Sequence, residues 1–583
     1  MVQTKRFKLG KHALKGSAFT VKGDELQTHA MIVGGTGRGK SKFLELAARN
    51  FIESETPIVV LDPHGDTVKN ILQHATERHL DNRVVCIDPN QAVDEAVYPL
   101  NFLQRTSDDI ATHASHIMRA IAKVFGEEDS QSKPRLERRE RATLMALIEA
   151  SYSMAEMLHF LSISDPRFRQ HVLKRVTDPY VLSEWSEYDS ISRRAEREQL
   201  LESCLNRAAK IILNEPVRRC LGAPSCNLDW EDVVRNKKIV LVNLQPTKVS
   251  RECMQLMGIL ILDHLVRFGT RSTRPLSSPL YVLCDELDEL ASPDLSYALQ
   301  ALRKRRIFVW GCIQYLEQLR THDTTSKLYH SFMANADLKV VFHTTYEDAQ
   351  LLVHELFAGE FRGDIVKDEI KRTTPIPVES VRKVFGTTEH ESATQSSADT
   401  TGSAVSSNTV DVDMRSHAHG TNEILSPDGT IVSRGGSDIE TRGTSTARGS
   451  SDVSSSQHME GSAHTVSRGS SVSEVPFYEY LLRQELTSRT FYTIEELTEQ
   501  FIAFLQCQPE RHVQIKLKDR KGAPVVLSFV HPTRIREKHV LKLIHRSNER
   551  VALPPPKVDA ILHERLKLPE AVEAIEDETP RWE

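Results

Sequence analysis

Little in this chain points to life outside the cell or within a membrane. Its eight cysteines fall in no C-x-x-C pair and no zinc-type spacing, so reduced thiols in a cytosol-like compartment are expected. The most apolar stretches, such as Met257–Leu262, fall far short of the ~20 residues that a bilayer-spanning helix needs. The opening residues, Met1-Val-Gln-Thr-Lys-Arg-Phe-Lys, lack the apolar core of a signal peptide. A soluble, cytoplasmic protein is the expectation. Basic charge is not in excess either. With 75 Lys and Arg against 80 Asp and Glu the net charge is −5, which by itself predicts no nucleic-acid affinity, although a near-neutral protein can still line a groove or pore with cations. No internal repeat is apparent. At 583 residues the chain exceeds a single core, and two to four domains are expected.

What the chain does have is Met31-Ile-Val-Gly34-Gly35-Thr36-Gly37-Arg38-Gly39-Lys40-Ser41, followed by the helix-forming run Phe43–Ala48. Gly34, Gly39, Lys40 and Ser41 fit G-x-x-x-x-G-K-[S/T], a pattern that a chain of this length meets by chance about 2 times in a hundred. Glycines let backbone N–H groups surround a polyphosphate without a side chain intervening. The helix beginning at Lys40 adds the positive end of its dipole. Lys40 can reach the β- and γ-phosphates, and the Ser41 hydroxyl can ligate Mg²⁺. Residues Gly34, Gly35, Thr36, Gly37, Arg38, Gly39, Lys40 and Ser41 are therefore the expected ATP-binding loop.

The pattern around this loop is that of an α/β protein with a parallel sheet. Pro57–Leu61 and Val84–Ile87 read as buried strands flanking a helix over Thr67–His79. From 107 to 236 the periodicity turns continuously helical, which predicts an all-α insertion. The sheet resumes at Lys238–Leu244, Pro279–Cys284, Ile307–Ile313 and Leu338–Phe342. The expected organisation is an ATPase core in two parts, 1–106 and 237–385, around the insertion at 107–236. A Ser/Thr/Gly-rich stretch at 386–475 has too few large apolar residues to offset its ordering entropy, and a disordered insertion is expected there. A small C-terminal α/β segment with an acidic tail occupies 476–583.

A second phosphate-chemistry signal is Leu280-Tyr-Val-Leu-Cys-Asp285-Glu286. The apolar strand delivers Asp285 to the sheet edge, where it can hold Mg²⁺ through water, and Glu286 is placed to deprotonate an attacking water. Gln314 ends the next strand, where an amide can sense a γ-phosphate or simply terminate the strand. Asp62-Pro63-His64-Gly65-Asp66 reads equally well as a Pro/Gly turn with Asp caps. Arg303-Lys304-Arg305-Arg306 reads as charge complementing a helix C-terminus or as an arginine finger. The residues do not choose between those readings.

Taken together, these stretches resemble the HerA–FtsK superfamily of P-loop motor ATPases, and within it HerA-type ATPases and the soluble parts of type IV secretion coupling proteins. The residues that carry the resemblance are Ile32–Ser41, Val60–Asp66, Ile239–Leu244, Val282–Glu286, Ile313–Leu319 and Asn335–Ala349. They cover about residues 25–375 in the expected order. The resemblance implies Lys40 and Ser41 on nucleotide and Mg²⁺, Asp285 on the metal, Glu286 activating water, and Gln314 as sensor. It also implies a homo-hexameric ring with ATP between subunits and DNA through its pore. Conjugative DNA transfer or DNA processing is the implied setting, with a secretion channel, relaxase or nuclease as partner. Membrane helices typical of coupling proteins are not seen. The alternatives are an ATPase that energises type IV secretion through partners, peripheral to a membrane channel, and an adaptor using nucleotide as a switch.

Overall fold

The computed structural model describes residues 5–567 apart from 92, 94, 106–108, 126–132, 272, 322–326, 363, 395–404, 426–430, 453–462, 519 and 521–523. The acidic run Glu576-Asp577-Glu578 and parts of the Ser/Thr/Gly-rich stretch thus lie outside the described residues. Two units are present, one made of the chain up to Ile365 and from Tyr492 onward, the other of Val366–Phe491.

The first unit is built on one eleven-stranded sheet. In chain order its strands are β1 (Arg6–His12), β2 (Ala18–Lys22), β3 (Ala30–Val33), β4 (Ile58–Asp62), β5 (Val84–Ile87) and β6 (Ile239–Asn243). They continue with β7 (Leu280–Cys284), β8 (Ile307–Ile313) and β9 (Leu338–Val341). The second unit holds β10 (Val366–Thr394), β11 (Val405–Leu425), β12 (Ile431–Asp452) and β13 (Ala463–Phe491), after which β14 (His512–Leu517) and β15 (Val525–Leu527) return to the first. The sheet runs β2-β1-β15-β14-β9-β3-β8-β7-β4-β6-β5. From β9 to β5 every pairing is parallel, and from β14 outward every pairing is antiparallel.

A parallel sheet must be covered on both faces, and its strands read as continuous apolar runs for that reason. Alternation then divides them. Met31, Val33, Val59 and Leu61 join one core, while Ala30, Ile32, Ile58 and Val60 join the other. On the second face lie helix α1 (Lys40–Glu53) and helix α2 (Asp66–Glu77). Phe51 of α1 stacks on Tyr281 of β7 at 3.9 Å between ring centroids, and Trp310 of β8 closes edge-on at 5.3 Å. The Trp310 indole N–H donates to the Thr28 carbonyl at 3.1 Å, so this buried ring leaves no polar atom unsatisfied. These contacts fix the helix that follows the phosphate loop against the strands that carry Asp285 and Gln314.

The helical segment expected at 107–236 is helical, with elements such as Ile110–Phe125, Pro179–Asp189 and Arg194–Ile212 between β5 and β6. Local signals explain their ends. Asp178 accepts from the Tyr180 and Val181 amides ahead of Pro179, and Ser153 with Glu156 forms a capping box. The insertion is not a loose appendage. Its buried side chains belong to the same core as the sheet and helix Arg251–Arg271, and His116 and Arg119 both bond the Asp294 carboxylate, at 2.8 and 3.0 Å.

The C-terminal segment holds both helix and strand, and its strands join the core sheet. β14 pairs antiparallel with β9 (Leu517 opposite Leu338), and β15 pairs with both β14 and β1. Val513, Ile515 and Leu517 are buried, so the segment completes the core sheet and covers the otherwise open edge of β9. A periodicity of two predicts a strand but not its neighbour.

In the second unit β10 pairs with β13 and β11 with β12, each pair antiparallel. The paired backbone exceeds the disordered insertion expected at 386–475 and begins earlier, at Val366. The Tyr492 amide donates to the Ile365 carbonyl at 3.1 Å, so the chain leaves and re-enters the first unit at neighbouring points. Replacing Val366–Phe491 by a short glycine linker should therefore leave the melting temperature of the first unit within a few degrees by calorimetry. Truncation after Phe491, which strips β14 from β9, should instead give aggregated protein in size-exclusion chromatography.

Candidate functional site

Four neighbouring parallel strands, β3, β8, β7 and β4, end at one sheet edge. Their register is close: Val33 lies opposite Ile313, Cys284 opposite Gly311, and Leu61 opposite Cys284. Gly34 and Gln314 consequently lie level with each other, and Asp62 and Asp285 lie level with each other two residues further back, all at the same sheet edge. This carboxyl edge is where ligands bind in open α/β sheets.

The loop from Gly34 to Gly39 joins β3 to α1 as expected. A Cβ on Gly34 would lie 2.5 Å from the Phe342 Cβ, so only glycine lets β3 leave the sheet this close to the next loop. The Lys40 ammonium, largely buried, donates to the carbonyls of Gly34 at 2.6 Å and Gly35 at 3.1 Å. A cation gathered over a glycine-walled loop at a helix N-terminus fits a polyphosphate. The residues beside it fit a divalent cation. Asp285 is 4% exposed. Burial pushes its carboxyl up, and a hydrogen bond with Ser41 draws it partly back, with a net upward shift. A buried, hydroxyl-linked carboxylate beside a phosphate loop is a donor set for Mg²⁺.

Glu286 takes a left-handed backbone conformation at φ 55°, which Gly34, Gln314, Asp285 and Asp62 do not share. Its Oε1 receives the Gln314 amide Nε2 at 3.2 Å, and Gln314 Oε1 receives the Thr36 hydroxyl at 3.3 Å. Thr36, Gln314 and Glu286 thus form one hydrogen-bonded line from the phosphate loop to the carboxylate. The turn that presents Gln314 is held from behind. Gln318 Oε1 accepts from the backbone of Gln314 and Tyr315, and the Asp348 carboxylate accepts from the Leu316 amide.

Asp62 is fully buried, and its two oxygens accept from the His64 and Val68 amides, both at 3.0 Å. It caps α2, as the turn reading of Asp62–Asp66 anticipated. The basic run behaves likewise: Arg303 pairs with Asp337 at 2.5 Å, while Arg305 and Arg306 donate to the carbonyls of Thr273 and Leu276. This run precedes β8 and lies at the strand end opposite Gln314, about 23 Å away at the rise of a strand. Sequence reasoning missed one participant, Arg511, whose backbone N–H donates to the Arg38 carbonyl of the phosphate loop at 3.3 Å. No motif surrounds it.

Sheet order, loop and acidic strand end together define a P-loop nucleotide-binding core. Residues 7–222 match the family described as the central domain of the helicase HerA. That span carries the phosphate loop and most of the helical insertion, but not Asp285, Glu286 or Gln314. Similar solved structures include the unbound bacterial conjugative coupling protein TrwBdeltaN70. That match has 13% identity and a TM-score of 0.47, over 91% of this chain and 92% of that one. Plasmid coupling protein TrwB in complex with ADP and Mg²⁺ matches at 16% identity, 61% and 84% coverage, and a TM-score of 0.42. VirB4 of Thermoanaerobacter pseudethanolicus matches at 14% identity, 60% and 86% coverage, and a TM-score of 0.40. No curated protein sequence matches. Among the described residues, no helix is long and apolar enough to cross a membrane.

Asp62→Ala would strand two backbone amides at the start of α2, so it should cost about 1–3 kcal/mol. Asp62→Asn, which keeps one acceptor, should cost less. Urea unfolding of the two variants side by side measures the difference.

Proposed function

We propose that this chain is an ATP-hydrolysing motor of the HerA–FtsK type. The observation that carries the reading is the line from Thr36 through Gln314 to Glu286. It couples the phosphate loop to a carboxylate standing next to the Ser41–Asp285 pair. In this reading the backbone of Gly34–Ser41 cradles the polyphosphate and Lys40 neutralises it. Ser41 and Asp285 hold Mg²⁺, which supplies charge neutralisation on the phosphates when bound. Glu286 accepts the proton of the attacking water. Gln314, bonded to both the loop and Glu286, reports the γ-phosphate.

The larger reading is a homo-hexamer that moves DNA independently of sequence, in conjugative transfer or DNA processing. Its partner would be a secretion channel, relaxase or nuclease, and its place the cytoplasm or the inner mouth of a channel. A second reading, an ATPase that energises type IV secretion through partners, gains from the basic residues. Three arginines that could otherwise grip phosphates have partners inside the chain: Arg303 holds Asp337, and Arg138 and Arg139 both pair with Glu184.

Steady-state ATP hydrolysis with and without linear duplex DNA, together with mass by light scattering, separates the two. Stimulation by DNA in a hexamer-sized particle is the expected result, and a DNA-indifferent monomer would favour the second reading. Lys40→Ala should reduce hydrolysis by about 100-fold or more. Glu286→Gln should retain ATP binding in a fluorescent-nucleotide titration while turnover falls about 10²–10⁴-fold.

A further inference from the structure

The Asp62–Asp66 turn does more than cap a helix. His64 Nε2 lies 2.8 Å from Glu286 Oε1, the oxygen that also receives Gln314. An ionised carboxylate can only accept, so Nε2 carries the hydrogen. Two donors, one from each side, therefore hold a single oxygen of Glu286. Its other oxygen, Oε2, accepts no hydrogen bond from the described residues.

The imidazole is aimed rigidly. Asp62 pins the His64 backbone amide, and proline at 63 restricts the approach. Gly65 then turns the chain at φ 82°, where a Cβ would meet Gln245 Oε1 at 2.9 Å and Asn243 Oδ1 at 3.0 Å. β4 and β7 are direct neighbours, with Leu61 opposite Cys284, so a residue three positions beyond one meets a residue two positions beyond the other. The His64 side chain is 60% exposed and fills no core. Packing does not account for it.

We propose that His64 is a positioning residue for hydrolysis: with Gln314 it clamps one oxygen of Glu286 and leaves the other free to accept the proton of water. The proposal rests on the reading of Glu286 given above. The surroundings suit it. Asp62 stands on its own turn, Asp285 and Glu286 follow β7, and Arg251 and Glu289 line the cavity beside Pro63 and His64. Arg251 is already paired with Glu289, and the remaining charges facing the ring are negative. Partial burial draws the imidazole down, but the hydrogen bond and charge of Glu286 outweigh it and raise its pKa overall.

Two measurements on the full chain test the assignment. In the absence of ATP, carbethoxylation of His64 by diethyl pyrocarbonate is followed by peptide mass spectrometry. Modification should be several-fold faster in Glu286→Gln than in the unsubstituted chain, and an equal rate would overturn the contact. With ATP, His64→Ala should lower kcat about 10–100-fold while KM stays within about threefold. His64→Gln, which returns an N–H donor, should recover part of the loss. Unchanged kcat in His64→Ala, or no recovery in His64→Gln, would overturn the role. Protection of His64 in a chain that hydrolyses no ATP would overturn the functional reading of the site. Hydrolysis with His64 unprotected would overturn the assignment of His64 alone.

Discussion

Everything at this site depends on the register of four parallel strands. Parallel pairing puts the carboxyl ends of β3, β8, β7 and β4 on one edge, and neighbouring strands lie only about 5 Å apart. Side chains one to three residues beyond those ends can therefore bond across strands distant in sequence. The Thr36–Gln314 contact spans 278 residues and the His64–Glu286 contact 222. A shift of one strand by a single residue would send its alternate side chains to the opposite face and separate these partners. The aromatic cluster of Phe51, Tyr281 and Trp310 guards against that slip, since it locks α1 to β7 and β8 at once.

The parts of this arrangement that were legible in the sequence are those in which one segment carries its own physics. The strands beside the site announce themselves as β-branched runs, the phosphate loop as a glycine pattern between strand and helix, and the insertion as sustained helical periodicity. Asp285 and Glu286 follow from an apolar strand ending in two carboxylates. Contacts that need a partner from elsewhere were not legible. His64 sits in a motif whose turn chemistry explains every residue except the imidazole, and only the β4–β7 pairing shows what the imidazole meets. Likewise Val513–Leu517 reads as a strand, yet nothing local says that it will pair with β9.

That last pairing has a consequence for the nucleotide loop. Once β14 lies beside β9, its entry point falls next to the phosphate loop, and the Arg511 amide bonds the Arg38 carbonyl. Arg511 takes a left-handed φ of 62° to do so, and its own carbonyl is held by the Ser528 amide at 2.9 Å. The loop is thus braced on one side by the C-terminal segment and on the other by Gln314. A chain end remote in sequence is mechanically part of the site.

Glu286 presents the same economy of strain. A non-glycine residue held in the left-handed region costs about 1–3 kcal/mol, and a nearly buried carboxylate adds a desolvation cost of its own. Hydrogen bonds to a charged acceptor contribute about 1.5–3 kcal/mol each, so the two from His64 and Gln314 are of the size needed to offset both. Either donor alone would offset only part of that cost. This explains why the structure brings two donors to one oxygen, one from the strand on each side of β7. It also implies that the conformation of Glu286 is conditional: whatever draws Gln314 toward Thr36 and the phosphate loop weakens the hold on the carboxylate, and His64 is then the group that keeps it in place.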